Sequence, residues 1–300
     1  MTEREARAGG EPARAAIPAI LGLAAIVRLI YLFLYARDFP LYRAPLVDAK
    51  IYDEWARAIA HGDLLGRAEG VFYRAPLYPY LLALIIRLFG NPLPWIAILQ
   101  TGCGVLSVYL ASRLAARIGG TPAAIATAAL LALYGPLVAS ESKLLATSLG
   151  LTLHLATLLL ALRQAERPSV GRGLAAGVML GLACLIRPQW IALALLLPLV
   201  LPLSGGGAWL PRFARRWAWF WLGVAVTIAP VAVRNRVIGH DWVLISSNGG
   251  MTFFQGNNEE NQSGLLTVVK KFDLFGSATE QRAMETRVAE REMGRKLRAS

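Results

Sequence analysis

Residues 16–36 form an almost unbroken apolar run, and comparable runs recur at 94–112, 121–139 and 144–162. A helix that crosses about 30 Å of hydrocarbon needs roughly 20 such residues. Runs of that length constrain the chain more than any motif, because they predict a polytopic membrane scaffold. Composition agrees with this: the chain is 56% hydrophobic and 17% charged, whereas soluble domains carry about a quarter charged residues. Residues 173–203 are apolar apart from Arg187, Pro188 and Gln189, which predicts a helical hairpin with Arg187 at its tip. A last run reaches about Val233, with Pro230 as a kink and Trp217, Trp219 and Trp221 as an interface belt. The expectation is an all-α polytopic membrane protein with about seven transmembrane helices. Residues 1–15 read as a solvated cytoplasmic lead, residues 16–237 as the transmembrane module and residues 238–300 as a small mixed polar tail.

The first apolar run is followed by the longest polar interval between apolar blocks, within an outer loop spanning residues 37–93. Asp48 opens a helical pattern that carries Ile51, Trp55 and Ile59 on one stripe and ends at Gly62. Asp is a favoured N-cap, so Asp48 suits capping as well as chemistry. The stripe predicts a helix lying on the membrane surface. Pro76 and Pro79 open a second short apolar piece, Tyr80 to Phe89, read as interfacial or re-entrant. Further on, Ser140 to Lys143 form a tight turn, Trp242 to Ser246 suit a strand, and residues 279–298 are helix-permissive. Asn261-Gln262-Ser263 is a glycosylation sequon, a triplet that also arises by chance.

Net charge is +12. The arginines sit at the ends of apolar runs, which fits the positive-inside rule and not nucleic-acid binding. With a cytoplasmic N-terminus, Arg113, Arg117, Arg163, Arg167, Arg172, Arg212, Arg215 and Arg216 fall inside, and the short outer turns hold Lys143, Arg187, Arg234 and Arg236. The expected topology therefore places the Asp48 loop on the extracytoplasmic face of a membrane. Cys103 and Cys184 lie in apolar runs as small hydrophobes, and His61, His154 and His240 lack metal-ligand spacing.

This topology gathers Asp48, Asp53, Glu54, Arg74, Glu141, Lys143, Arg187, Arg234 and Arg236 at one face. Carboxylates there suit proton abstraction or cation binding, and arginines suit phosphate. Asp53 and Glu54 also fit the wet side of an amphipathic helix, and Tyr73 and Tyr78 fit interface anchors. Arg28 lies within the first apolar run, where it either faces the protein interior or snorkels to an interface.

The ordered set of Arg28, Val47-Asp48-Ala49 with Tyr52, Trp55-Ala56, Gly62-Asp63, Tyr73-Arg74-Ala75-Pro76-Leu77-Tyr78-Pro79, the Glu141 turn, Leu185 to Pro188, Arg234-Asn235, Ser247 to Gly250 and Gly256 to Asn258 resembles the GT-C membrane glycosyltransferases. The similarity is to the bacterial branch of protein O-mannosyltransferases and the aminoarabinose-lipid transferase, and covers roughly residues 16–265. The resemblance implies transfer of a sugar from a polyprenyl-phosphate carrier to a lipid, glycan or protein acceptor on the extracytoplasmic face. It implies Asp48 as the catalytic residue, Arg74, Arg187 and Arg234 near the donor phosphate, Glu141 as an acid near the site, and Tyr52, Tyr73 and Tyr78 as cavity walls. Relatives often carry adjacent acids where this chain has Asp48-Ala49, so a divalent cation has little support and no other cofactor is implied. Relatives also continue with further spans, so the chain is expected to lack the C-terminal part. The competing expectations are a lipid-linked sugar transporter or flippase, and a non-catalytic subunit of an envelope assembly complex.

Overall fold

The computed structural model describes residues 3–67, 70–201 and 209–257, together with residues 287 and 290. Every regular element among them is helical: α1 (Glu3–Asp38), α2 (Asp48–Ala60), α3 (Leu77–Phe89), α4 (Leu93–Ala132), α5 (Gly135–Glu141), α6 (Thr147–Glu166), α7 (Val170–Cys184), α8 (Leu193–Val200), α9 (Trp209–Gly239) and α10 (Gly249–Gly256). Short 3-10 turns sit at Pro40–Tyr42 and Pro188–Ala192. Among the described residues, four stretches are long and apolar enough to cross a membrane: Ala15–Asp38, Leu93–Ala132, Thr147–Glu166 and Trp217–Gly239. Leu77–Phe89, Val170–Cys184 and Pro188–Val200 are apolar but shorter.

The runs at 94–112 and 121–139 fall largely within α4, which turns back on itself at Gly119 and Gly120. Gly120 has φ 69°, a conformation that costs a residue without Cβ little. Val108 from the first arm and Ala128 and Ala132 from the second share one apolar core with Ala24 of α1. The second arm stops at Ala132 instead of continuing to residue 139. Pro136 explains this: it disfavours helix at Gly135 and starts the separate helix α5. The hairpin expected over 173–203 is present as α7, the 3-10 turn and α8. Arg187 is extended at φ −136°, ψ 98°, as a residue before proline prefers.

Helices α7 and α9 pack with their backbones nearly touching. A Cβ at Gly177 would overlap the Phe220 carbonyl, one at Gly181 would lie 2.5 Å from Thr227 Cβ, and one at Gly223 would lie 2.6 Å from the Leu174 carbonyl oxygen. Glycines four apart on one helix face permit this approach, and close van der Waals packing associates helices where lipid provides no hydrophobic drive. The same core absorbs Trp217, which is fully buried and edge-on to Phe220. Trp221 Nε1 donates to the Ala194 carbonyl at 2.9 Å. The tryptophan belt is therefore not formed as expected: Trp217 and Trp221 fasten α9 to its neighbours, and only Trp219 is exposed.

The charged side chain within the first apolar run is paired, whereas Ser148 Oγ, His154 Nδ1 and Trp217 Nε1 in later runs are buried with no hydrogen-bond partner. Arg28 is 1% exposed and faces inward, not to an interface. Its Nε donates to Glu141 Oε2 at 2.8 Å, and its Nη1 donates to the carbonyls of Ala24 and Ala132. The Glu141 carboxylate lies directly over Gly104, where a Cβ would overlap it. One ion pair thus joins α1, both ends of the α4–α5 junction and the first arm of α4.

Two local expectations are corrected. The α2 stripe of Ile51, Trp55, Ala56 and Ile59 is buried, and Trp55, Ala56 and Ile59 pack with Phe72, Tyr78 and Leu82, so it faces protein and not the membrane surface. The next segment supplies a large apolar partner, and that contact takes the stripe. Residues 242–246 form no strand; the Asn235 side chain takes their carbonyls, bonding Val243 at 2.9 Å and Ile245 at 3.1 Å. The expected helix at 279–298 (apart from residues 287 and 290), the sequon at 261–263 and Asn258 lie outside the described residues.

Gly177→Leu is expected to destabilise the folded protein by about 3 kcal/mol or more, because the overlap is with backbone and cannot relax. Thermal unfolding in detergent measures it. Glu141→Gln leaves the Arg28 charge buried without its counter-ion and is expected to cost about 3–5 kcal/mol. The double variant Arg28→Met, Glu141→Leu is expected to recover most of that loss in the same assay.

Candidate functional site

The segment Gly70–Pro76, which leads into α3 at Leu77, has no secondary structure of its own, so its backbone groups need partners from elsewhere. The Phe72 N–H donates to Asn235 Oδ1 at 3.2 Å, and the Phe72 carbonyl accepts from Ser247 N at 3.0 Å. The Leu77 N–H donates to the Leu185 carbonyl at 3.0 Å. Arg74, between these ties, reaches α2 through Nη1, which donates to Asp48 Oδ1 at 2.8 Å. Four remote parts of the chain meet around one segment.

They enclose an open cleft of about 800 Å³ lined by Asp48, Tyr52, Arg74, Arg187, Ser246 and Asn248, among others. This volume lies within the range of about 300–1,000 Å³ found for small-molecule sites. The cleft has two cations on its wall and one carboxylate. Arg187 is exposed, and no acceptor among the described residues meets its guanidinium. Arg74 is only 20% exposed, and its Nε is buried with no hydrogen-bond partner. A buried donor without an acceptor is costly unless something else fills the place. Tyr52 lies within electrostatic reach of Arg74, Asp48 and Arg187; burial pushes its phenol above the ordinary value, with Arg74 acting in the opposite direction. The hydroxyl therefore stays protonated at neutral pH and is able to donate.

Asp48 is not an N-cap. The helix starts at Asp48 itself, and the cap position belongs to Val47, at φ 52°, ψ −123° with no side-chain cap. Positive φ is rare for a β-branched residue and signals local strain. The Asp48 carboxylate, 47% exposed, is instead turned to Arg74 and the cleft. Its second oxygen has no partner among the described residues.

The structure brings Asp48, Tyr52, Arg74 and Arg187 together. It places the other candidates elsewhere. Arg234 is not on the cleft wall: its guanidinium donates to the carbonyls of Leu65, Gly66 and Gly70 and stacks 3.7 Å over the Phe72 ring. Glu141 is buried against Arg28. Tyr78 is 1% exposed and donates its hydroxyl to Gln100 Oε1 at 2.6 Å, while Tyr73 is buried with its ring 6.0 Å from the Arg74 guanidinium. Asp53 pairs with Arg57 and Glu54 with Lys50 along α2, as solvated helix residues do. Among the described residues no three His, Cys, Asp or Glu side chains cluster as metal ligands.

Sequence reasoning missed Asn235 as an organiser of the cleft, because the residues that its side chain joins, Phe72, Val243 and Ile245, lie far apart in the chain and no local pattern marks them. Gln100 was missed too. Its Nε2 donates to the carbonyls of Glu141 and Lys143, which sets the turn before α6. A lone glutamine inside an apolar run was the available signal.

The family profile described as dolichyl-phosphate-mannose-protein mannosyltransferase matches residues 73–233, more than half of the chain. The match begins within the segment that organises the cleft and ends beside Arg234. The chain belongs to this family. It is a membrane glycosyltransferase of the GT-C type. No match was found among curated proteins or among solved structures.

Because Arg234 holds three carbonyls of the 65–70 loop, Arg234→Met is expected to destabilise the protein by about 2–3 kcal/mol and to open the loop to proteolysis. Arg234→Lys is expected to restore little, since an ammonium lacks the planar fork. Limited proteolysis followed by mass spectrometry of residues 62–71 reads both.

Proposed function

We propose that the protein transfers a sugar from a polyprenyl-phosphate carrier to an acceptor hydroxyl on the extracytoplasmic face. The observation that carries this reading is the pairing of one carboxylate, Asp48, with two cations on a single cleft wall, one of them unpaired. The family match supports a lipid-linked sugar donor and a membrane-embedded reaction. Among the short connections between helices, the arginines gather in those read as cytoplasmic, which supports an extracytoplasmic cleft.

The reaction is a displacement at the anomeric carbon. Asp48 takes the proton of the acceptor hydroxyl as that oxygen bonds to the carbon. The bond from the carbon to the phosphate oxygen breaks, and the lipid phosphate departs with the electron pair. Phosphate is a good leaving group, so the main requirement is stabilisation of the charge it carries away. Arg187 and the free Nε of Arg74 provide donors for it, and the Arg74–Asp48 bond ties the base to the phosphate side. The Tyr52 hydroxyl donates to a sugar or phosphate oxygen in the same cleft. Arg234 and Glu141 contribute one step removed, by holding the loop and the bundle that position the wall.

Asp48→Asn is expected to lower transfer of a radiolabelled polyprenyl-phosphate sugar by about 10²–10⁴-fold while donor binding persists. Arg187→Ala is expected to weaken donor binding by about tenfold or more, the range for a hydrogen bond to a charged group. Near-normal transfer by intact, membrane-inserted Asp48→Asn protein overturns the assignment of the base. Donor binding without transfer in the native protein favours a transporter or a non-catalytic subunit.

A further inference from the structure

We propose that Gln100 and Tyr78 are positioning residues for sugar transfer: through them a membrane-spanning helix sets the place of Tyr52 on the cleft wall. The inference rests on the reading of the cleft as the site of transfer. Gln100 lies in α4 and Tyr78 in α3, and each is 1% exposed. The Tyr78 hydroxyl donates to Gln100 Oε1 at 2.6 Å, while Gln100 Nε2 donates to the carbonyls of Glu141 and Lys143 at 2.6 and 2.7 Å. One amide thus joins α3, α4 and the turn before α6, with both of its ends in use.

Both neighbours of that amide lead to the cleft. The Tyr78 ring meets the Tyr52 ring edge-on, with centroids 5.1 Å apart at 74°, an arrangement that aromatic pairs favour. Tyr52 is half-buried and lines the cleft with Asp48, Arg74 and Arg187. Asp48 and Tyr52 stand four apart in α2, so they share one helix face. On the other side, the Lys143 carbonyl also accepts from Leu145 N at 2.7 Å, and Leu145, Ala146 and Thr147 form another part of the wall. The same turn borders a smaller, mostly apolar cavity of about 320 Å³ that shares Asp48 and Leu145 with the cleft.

Packing alone does not call for this arrangement. Phenylalanine in place of Tyr78 and methionine in place of Gln100 would fill similar space without desolvating a hydroxyl and an amide. What the polar pair adds is direction: a fully met buried network fixes where its members sit. Transfer is sensitive to that, since a misplacement of about 1 Å costs on the order of 10²-fold in rate. Neither Gln100 nor Tyr78 lines the cleft, so both act through Tyr52, whose hydroxyl is aimed by the ring it rests on.

The test is a double-mutant cycle on the full chain in detergent. It reads kcat/KM for transfer from radiolabelled polyprenyl-phosphate mannose, with a membrane extract as the source of acceptor. Tyr78→Phe and Gln100→Met are each expected to lower kcat/KM by about tenfold or more. In a Tyr52→Phe background the same substitutions are expected to lower it by less than about twofold, because the hydroxyl they aim is gone. Equal losses in both backgrounds mean a structural role alone and overturn the proposal. A Tyr52→Phe protein with native kcat/KM overturns it too. Where a single variant fails to fold, the cycle uses Tyr78→Phe combined with Gln100→Met, which removes both partners of the bond at once. A second measurement needs no turnover. Fluorotyrosine placed at residue 52 gives a fluorine resonance that is expected to shift or split in Tyr78→Phe and in Gln100→Met. An unchanged resonance in both overturns the proposal. The transfer reading fails differently: undiminished transfer by Asp48→Asn refutes the base while the Tyr52 cycle still holds. Donor binding without transfer, together with the shifted resonance, refutes transfer and leaves the positioning of Tyr52 standing.

Discussion

The site depends on how the backbone of one irregular segment is satisfied. Gly70 to Pro76 form neither helix nor strand, yet Phe72 is 2% exposed and Val71 1%. A buried loop with unpaired N–H and C=O groups is untenable, so each must find a partner. The partners come from Asn235 at the end of α9, from Ser247 beyond it and from Leu185 at the α7 hairpin. Arg74 adds the link to α2. The cleft is what remains between these ties. Its shape follows from hydrogen bonding more than from packing of its own walls.

Beneath that segment the helices are locked by contacts that lipid cannot replace. The α7–α9 contact is held at backbone distance by glycines, and the Arg28–Glu141 pair crosses the apolar interior with the Arg28 donors met by Glu141 Oε2 and helix carbonyls, while Glu141 Oε1 has no hydrogen-bond partner. Removing one partner of such a pair costs far more than the pair contributes. The two devices differ in kind but have the same result, a rigid frame that fixes Leu185 and Asn235 as anchors for the irregular segment. Arg234 stiffens the adjoining loop, which keeps the strained Val47–Asp48 corner and the Arg74 side chain in register.

Charge is distributed unevenly across this frame. Arg28 and Arg234 are fully engaged, and Arg57 is paired on the surface. Arg187 and Lys143 lack acceptors among the described residues, and they line different cavities that meet at Asp48. Both are exposed and solvated, so their donors stay open to an anionic ligand. That contrast, more than the number of arginines, separates residues that build the scaffold from residues that meet a ligand.

Much of the fold was legible because apolar block length and proline or glycine punctuation act locally. The break at Arg187-Pro188, the break between the runs at 94–112 and 121–139, and the apolar α2 stripe all follow from spacing along the chain. The interior position of Arg28 was half legible: its expense in lipid demanded a partner, but not which one. The site was legible as a set of residue types and not as a constellation. Asp48, Tyr52, Arg74 and Arg187 converge, whereas Arg234, Glu141, Tyr73 and Tyr78 of the same set are taken up by carbonyls, an ion pair and the core. By itself, the sequence determined helices, their breaks and the excess of cations, because these depend on neighbours within a few residues. Only the tertiary structure decided which cation is already satisfied and which is left open, because hydrogen-bond partners more than 100 residues apart meet only after the chain has packed.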